Sequence, residues 1–196
     1  MVTRPAAFLD RDGTLIEASV SAGVPVPMHG MVEFAHGASE ACAQLRSLGY
    51  ALVMVTNQPD VARGAVDVRT VEIDNLRIVE VLGLDLALAC MHDDVDHCAC
   101  RKPLPGLLHQ AASTLGIHLD RTSVMIGDRW RDIDAGSAAG ITTILIDRGY
   151  GENLNSPPDH TASNLLSATK WIEHRLRKDR IDLPPPAPNQ DIRRRG

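Results

Sequence analysis

Short apolar runs alternate with helix-period segments along most of the chain. The runs at 6–10, 51–56, 84–90, 123–127 and 142–146 predict strands, and 37–48, 68–82, 104–115, 130–139 and 162–177 predict helices. Gly49, Gly83, Gly116 and Gly140 each follow a helical stretch, where a left-handed C-terminal cap favours glycine. Strand–helix units joined by right-handed crossovers make an α/β fold, a Rossmann-like doubly wound parallel sheet in three layers. Segment 17–33 is rich in small residues (Ser19, Ser21, Gly23, Pro25, Pro27, Gly30) and reads as a loop bordering any site at the strand ends. No connection is long enough for a separate cap domain. One domain is therefore expected over 1–176. From 177 to 196 the chain becomes a Pro/Arg-rich tail, with Leu183-Pro184-Pro185-Pro186-Ala187-Pro188 and a final Arg193-Arg194-Arg195-Gly196, and the expectation there is disorder.

Composition narrows this picture. The chain has 196 residues, 44% hydrophobic and 23% charged, which suits a soluble globular domain. No apolar run approaches the ~20 residues of a membrane span, and the opening residues lack the apolar core of a secretory signal. The expectation is a cytoplasmic monomer with no membrane partner. A net charge of -5 argues against nucleic acid as a partner. The charge is uneven: the tail from Arg177 carries six basic residues against three acids, leaving the rest about -8. Such a body suits a carboxylate site for a divalent metal, although ordinary surface acids are the commoner cause.

The first strand ends in Asp10 and continues Arg11-Asp12-Gly13-Thr14. Two acids two residues apart at the end of a strand point to the same side of the sheet, at the edge where open α/β sheets bind ligands. Gly13 lets the backbone turn and approach a ligand closely. Asp-Gly-Thr is also a common surface turn, so this segment alone leaves both readings open. The second strand ends in Thr56-Asn57-Gln58, a hydroxyl and two amides able to donate to phosphate oxygens, although Thr56 also suits a turn cap. Arg101-Lys102-Pro103 offers two adjacent cations. In Gly127-Asp128-Arg129-Trp130-Arg131-Asp132 an apolar strand again ends in an acid, with Asp132 at a spacing that a helix N-terminus also favours.

Taken in order, these four segments resemble the signature of the haloacid-dehalogenase (HAD) superfamily of phosphohydrolases, over residues 6 to about 150. The resemblance implies a capless HAD fold and a phosphatase acting on a small-molecule phosphate ester. It makes Asp10 the nucleophile and Asp12 the general acid and base. It gives Mg2+ to Asp10, the Asp12 backbone carbonyl and Asp128, with Asp132 supporting the metal site. Lys102 would neutralise charge and Thr56 would orient the transferring group.

Four cysteines without an export signal do not suggest a disulfide framework. Cys42 stands alone in a helical pattern, as a small buried apolar residue would. Cys90-Met91-His92 and Cys98-Ala99-Cys100, separated by five residues, offer three thiolates and one imidazole, the donor set of a closed structural Zn2+ site; His97 is a spare. The segment leads straight into Arg101 and Lys102. Its placement resembles the branch of the superfamily that holds the heptose-bisphosphate and histidinol-phosphate phosphatases. The stretch Pro59-Asp60-Val61-Ala62-Arg63-Gly64 is similar to the heptose side, which implies substrate contacts from Asn57, Gln58, Arg63 and Arg101. D-glycero-D-manno-heptose 1,7-bisphosphate is the substrate so implied, with histidinol phosphate as the alternative. A catalytically silent, zinc-stabilised binding protein is the alternative of another class. Pro59-Asp60, Met91 and a 17–33 segment without the aromatic residue expected beside a substrate depart from the branch pattern.

Overall fold

A computed structural model describes residues 4–21, 24–26 and 29–181. The chain runs β1 (Ala6–Leu9), β2 (Ser19–Ser21), β3 (Val24–Val26), α1 (Ala38–Ser47), β4 (Ala51–Asn57), α2 (Val68–Leu82) and β5 (Leu86–Cys90). It continues through α3 (Gly106–Leu115), β6 (Val124–Gly127), α4 (Trp130–Ala138), β7 (Thr142–Ile146), β8 (His160–Ala162) and α5 (Leu165–Ile181). Six strands form one parallel sheet in the order β5-β4-β1-β6-β7-β8. The doubly wound sheet expected from the pattern is present.

The sequence explains the layering. β1 is buried along its whole length, so it reads as an unbroken apolar run, as a strand covered on both faces does. Its side chains alternate between two cores. Ala7 and Leu9 join Ala41, Leu45 and Ile172 on the α1 and α5 side. Ala6 and Phe8 join Leu107, Leu108 and Ala111 of α3 on the other. β6 divides in the same way, with Ile126 in the first core and Met125 in the second. Each of the larger side chains here (Leu, Ile, Phe, Met), fully buried, stabilises by about 1.5–3 kcal/mol.

Two elements escaped the pattern. The small-residue segment after β1 contains an antiparallel hairpin, β2 with β3, rather than only loop. Residues His160–Ala162, of which only Ala162 was expected in the last helix, instead add β8 to the sheet edge beside β7. Three-residue strands are too short to show a period. Helix α5 carries on to Ile181, past the expected boundary at 176. The remainder of the expected tail, 182–196, lies outside the described residues. No helix among the described residues is long and apolar enough to cross a membrane.

The strand order reverses between β1 and β6. At such a switch point the outgoing chains diverge to opposite faces and leave a crevice at the carboxyl ends of the strands. Asp10 follows β1 there and Asp128 follows β6, and the Asp10 amide still donates to the Ile126 carbonyl at 2.9 Å. The fold thus aims two acids into one crevice before any side-chain contact is considered.

Candidate active site

The crevice opens into a cleft of ≈ 330 Å³ lined by Asp10, Asp12, Thr56, Lys102, Asp128 and Asp132 at its floor, with Arg63, Arg101, Arg129 and Arg131 higher up. Carboxylate oxygens of Asp10, Asp128 and Asp132 lie within 4.8 Å of one another, and all three residues are buried. Three buried acids this close need cations. Lys102 supplies one: its ammonium donates to Asp10 Oδ1 at 2.6 Å, Asp132 Oδ1 at 2.6 Å and the Val55 carbonyl at 2.8 Å. Three donors meet three acceptors, so the group is saturated.

One cation does not balance three acids. Burial, opposed by Lys102 and reinforced by Asp132 and Asp12, pushes Asp10 up to about 7. Asp128 is raised well above the carboxylate range by burial, then by Asp10 and Asp132. Burial works against the charge on Lys102, yet Asp10 and Asp132 hold its proton more tightly than usual. Asp128 Oδ1 is buried with no hydrogen-bond partner, while Tyr150 donates to Oδ2 at 2.9 Å. A free carboxylate oxygen beside two further acids is the donor set of a hard divalent cation such as Mg2+, and these residues fit it.

Local sequence places each acid. Gly13, at φ 78, turns the chain beneath the site, where a Cβ would stand 2.0 Å from Asp128 Oδ2. Asp132 also accepts from the Arg129 amide at 3.1 Å, so this acid stands at a helix start and in the cluster of buried acids at once. Asp12 is held by Arg11 Nε at 3.0 Å, Arg11 Nη2 at 3.1 Å and Gln58 Nε2 at 2.8 Å. Arg11 itself is fully buried and reaches Asn75 and Gln58.

Two residues expected to contact substrate already have protein partners. Gln58 is fully buried; its amide donates to Asp12 and to Thr56 Oγ1 and accepts from Arg11. It braces the acid and the hydroxyl from behind. Because Thr56 Oγ1 accepts that bond, its own proton is left for a group in the cleft. Asn57 lines the cleft, but its amide clasps the backbone of Lys102, donating to the carbonyl at 2.9 Å and accepting from the N–H at 3.1 Å. Both are polar residues whose positions follow from strand β4, and only their partners reveal the role.

Sequence reasoning missed Arg129, Arg131 and Tyr150. Arg129 pairs with Glu152, with Nε 2.8 Å from the carboxylate, and Arg131 reaches Asp94 at 3.2 Å. The arginines flank Asp128 and Asp132 in sequence, which is a usable signal. Tyr150 had none, being brought in by the loop after β7.

Next to the cleft, the sulfurs of Cys90, Cys98 and Cys100 lie 3.2–3.6 Å apart, with His92 Nδ1 at 3.3 Å from Cys100 and 3.6 Å from Cys90. These are far beyond a disulfide bond of about 2.05 Å and near the edge of about 3.8 Å that a tetrahedron with ~2.3 Å zinc–sulfur bonds would have. Burial opposes ionisation of Cys98, but the Arg101 amide and the neighbouring thiols bring it down to about 7. Buried Cys90 is pushed up to about 12. His97 stands outside this cluster.

Comparison with known proteins agrees with this geometry. A HAD-hydrolase-like family model matches residues 99–168. A D-glycero-β-D-manno-heptose-1,7-bisphosphate 7-phosphatase of Yersinia pestis is 36% identical over 160 residues, covering 74% of this chain and 80% of that protein. The enzyme of that name from Helicobacter pylori strain 26695 is 33% identical, covering 93% of this chain and 99% of its own. The crystal structure of D,D-heptose 1,7-bisphosphate phosphatase from B. bronchiseptica, complexed with magnesium and phosphate, is 26% identical. It covers 88% of this chain and 99% of its own, with a TM-score of 0.74.

Proposed function

We propose, for a chain that belongs to the HAD-like phosphatases, a magnesium-dependent phosphomonoesterase that removes the 7-phosphate of D-glycero-D-manno-heptose 1,7-bisphosphate. The observation that carries this reading is the buried triad of Asp10, Asp128 and Asp132 around a saturated Lys102, beneath a rim of arginines. The named relatives support the substrate.

In this reading an Asp10 carboxylate oxygen attacks phosphorus as the ester P–O bond breaks, and the leaving alkoxide takes a proton from Asp12. Water then attacks the phosphorus of the acyl phosphate and gives its proton to Asp12, which frees inorganic phosphate and restores the Asp10 carboxylate. Asp10, the Asp12 backbone carbonyl and Asp128 would hold Mg2+, which when bound would supply the positive charge that lets two anions meet. Asp132 fixes Lys102 and steadies the metal site. The positive charge of Lys102 offsets the charge on the transferring phosphoryl group, and the Thr56 hydroxyl donates to its oxygens. Arg63 and Arg101 take the distal end of the substrate.

Phosphate release from heptose bisphosphate, histidinol phosphate and hexose phosphates, with magnesium or with EDTA, tests the reading. Magnesium-dependent turnover led by the heptose bisphosphate is the expected result. Preference for histidinol phosphate would overturn the substrate, and no release from any ester would leave a binding protein.

Magnesium should also be read by stability. A carboxyl whose folded pKa is raised contributes stability that is full below the ordinary value near 4 and lost as pH rises through about 7. The metal replaces that lost contribution. The magnesium-induced rise in Tm is therefore expected to be larger at pH 8 than at pH 5.5. An equal rise at both values would exclude the buried acids as the metal site.

Zn2+ held by Cys90, His92, Cys98 and Cys100 would tie the loop that delivers Arg101 and Lys102. Cys98→Ser is expected to lower the bound zinc measured by elemental analysis, and to lower Tm by about 5 °C or more. It should also cost activity on every substrate alike, because Lys102 serves them all. Full activity in zinc-free protein would refute this role.

A further inference from the structure

Every rim arginine already has a carboxylate. Arg63 is held bidentately by Asp93, at 2.6 and 2.8 Å, and Arg129 is held by Glu152. Arg101 and Arg131 share a single acid: Asp94 Oδ1 accepts from Arg101 Nε at 2.7 Å and from Arg131 Nη1 at 3.2 Å. Beyond Asp94, Arg101 has among the described residues only the edge of Asp93, at 3.8 Å, and the His92 carbonyl.

These acids differ in how firmly they are set. Asp93 accepts from the Asp94 amide and caps the short turn Asp94–Asp96, and its own amide donates to Asp96. Asp94 makes no such local bonds with its side chain, which is 58% exposed. It rests between two guanidinium groups at the cleft wall, where it costs little to move.

We infer that Asp94 is a specificity-determining residue, a tethered anion that occupies the place between Arg101 and Arg131 where a second phosphate of the substrate would sit. The inference rests on the proposed sugar-phosphate reading and adds a statement about its distal end. A distal phosphate must displace the Asp94 carboxylate before it meets both arginines, whereas a neutral distal hydroxyl leaves the carboxylate in place. Asp94 therefore lowers the advantage of a bisphosphate over the matching monophosphate. It also keeps free inorganic phosphate from holding the two cations.

The test compares heptose 1,7-bisphosphate with heptose 7-phosphate, which differ only at the distal end. In Asp94→Asn the ratio of kcat/KM, bisphosphate over monophosphate, is expected to rise about tenfold, mostly through KM, and the gain should shrink at high salt. Arg131→Gln in the Asp94→Asn background should cancel the gain. Calorimetry on Asp10→Asn and on Asp10→Asn/Asp94→Asn reads the same ratio as affinity without turnover. An unchanged or reduced ratio, or no gain in bisphosphate binding, overturns the inference. Failure of the wild type to hydrolyse either sugar overturns the proposed function instead, and calorimetry still judges Asp94. Unaltered zinc content and Tm in Asp94→Asn separate the effect from damage to the loop.

Discussion

Asp10→Asn is expected to leave the protein folded and to remove roughly 10⁴-fold or more of its phosphatase rate. The amide has nearly the shape of the acid, and burial already drives Asp10 toward its neutral form, with its pKa at about 7. The substitution therefore asks little of the fold. What it removes is the oxygen nucleophile, for which no neighbour substitutes. Asp12 is clamped by Arg11 and Gln58. Asp132 is spent on Lys102 and the Arg129 amide. Phosphate release and thermal melting on the same preparation check both halves. Activity within tenfold of wild type would sink the phosphoaspartate scheme, and an unfolded protein would sink the claim of a tolerant site.

Lys102→Met carries the second large effect, and it divides between function and stability. Removing one partner from a buried ion pair costs about 3–5 kcal/mol, because the acids left behind are uncompensated. Here two acids, Asp10 and Asp132, lose their shared partner at once. Loss of a charge that stabilises the transferring phosphoryl group costs about 10²–10³ in kcat. Lys102→Arg is expected to fare little better. The ammonium fits three acceptors at 2.6–2.8 Å, and a planar guanidinium cannot point three donors into that pocket. Urea melts and kcat for both variants are the measurements. Near-normal turnover in Lys102→Met would show that the cation serves the fold alone.

The central strands and the acids at their ends were legible because their signals are local. An apolar run ending in Asp10 or Asp128 predicts both the strand and the aim of the acid. Lys102 was legible by spacing, although its saturation by two carboxylates and a carbonyl was not. Gln58 and Asn57 show where such reading stops. Both are amides at the end of a strand, and sequence assigns both to the ligand, yet Gln58 bonds the Asp12 carboxylate and Asn57 the backbone of Lys102. Partners far apart in sequence, such as Asn57 with Lys102 or Tyr150 with Asp128, arise from the sheet order and have no local mark. The β8 edge and the β2–β3 hairpin were too short to declare a period.

The switch point between β1 and β6 also separates what can change from what cannot. The acids stand on strand ends and a helix start anchored in both cores. Two of the arginines above them hang on peripheral pieces, Arg63 on the turn after β4 and Arg101 on the cysteine loop, whereas Arg129 stands at the start of α4. Lengthening or recharging the turn that carries Arg63 would alter the rim without shifting Asp10 against Asp128. The molecule is therefore built for diversification: a lineage carrying this sheet can exchange substrates by editing its rim, and a protein engineer can do the same.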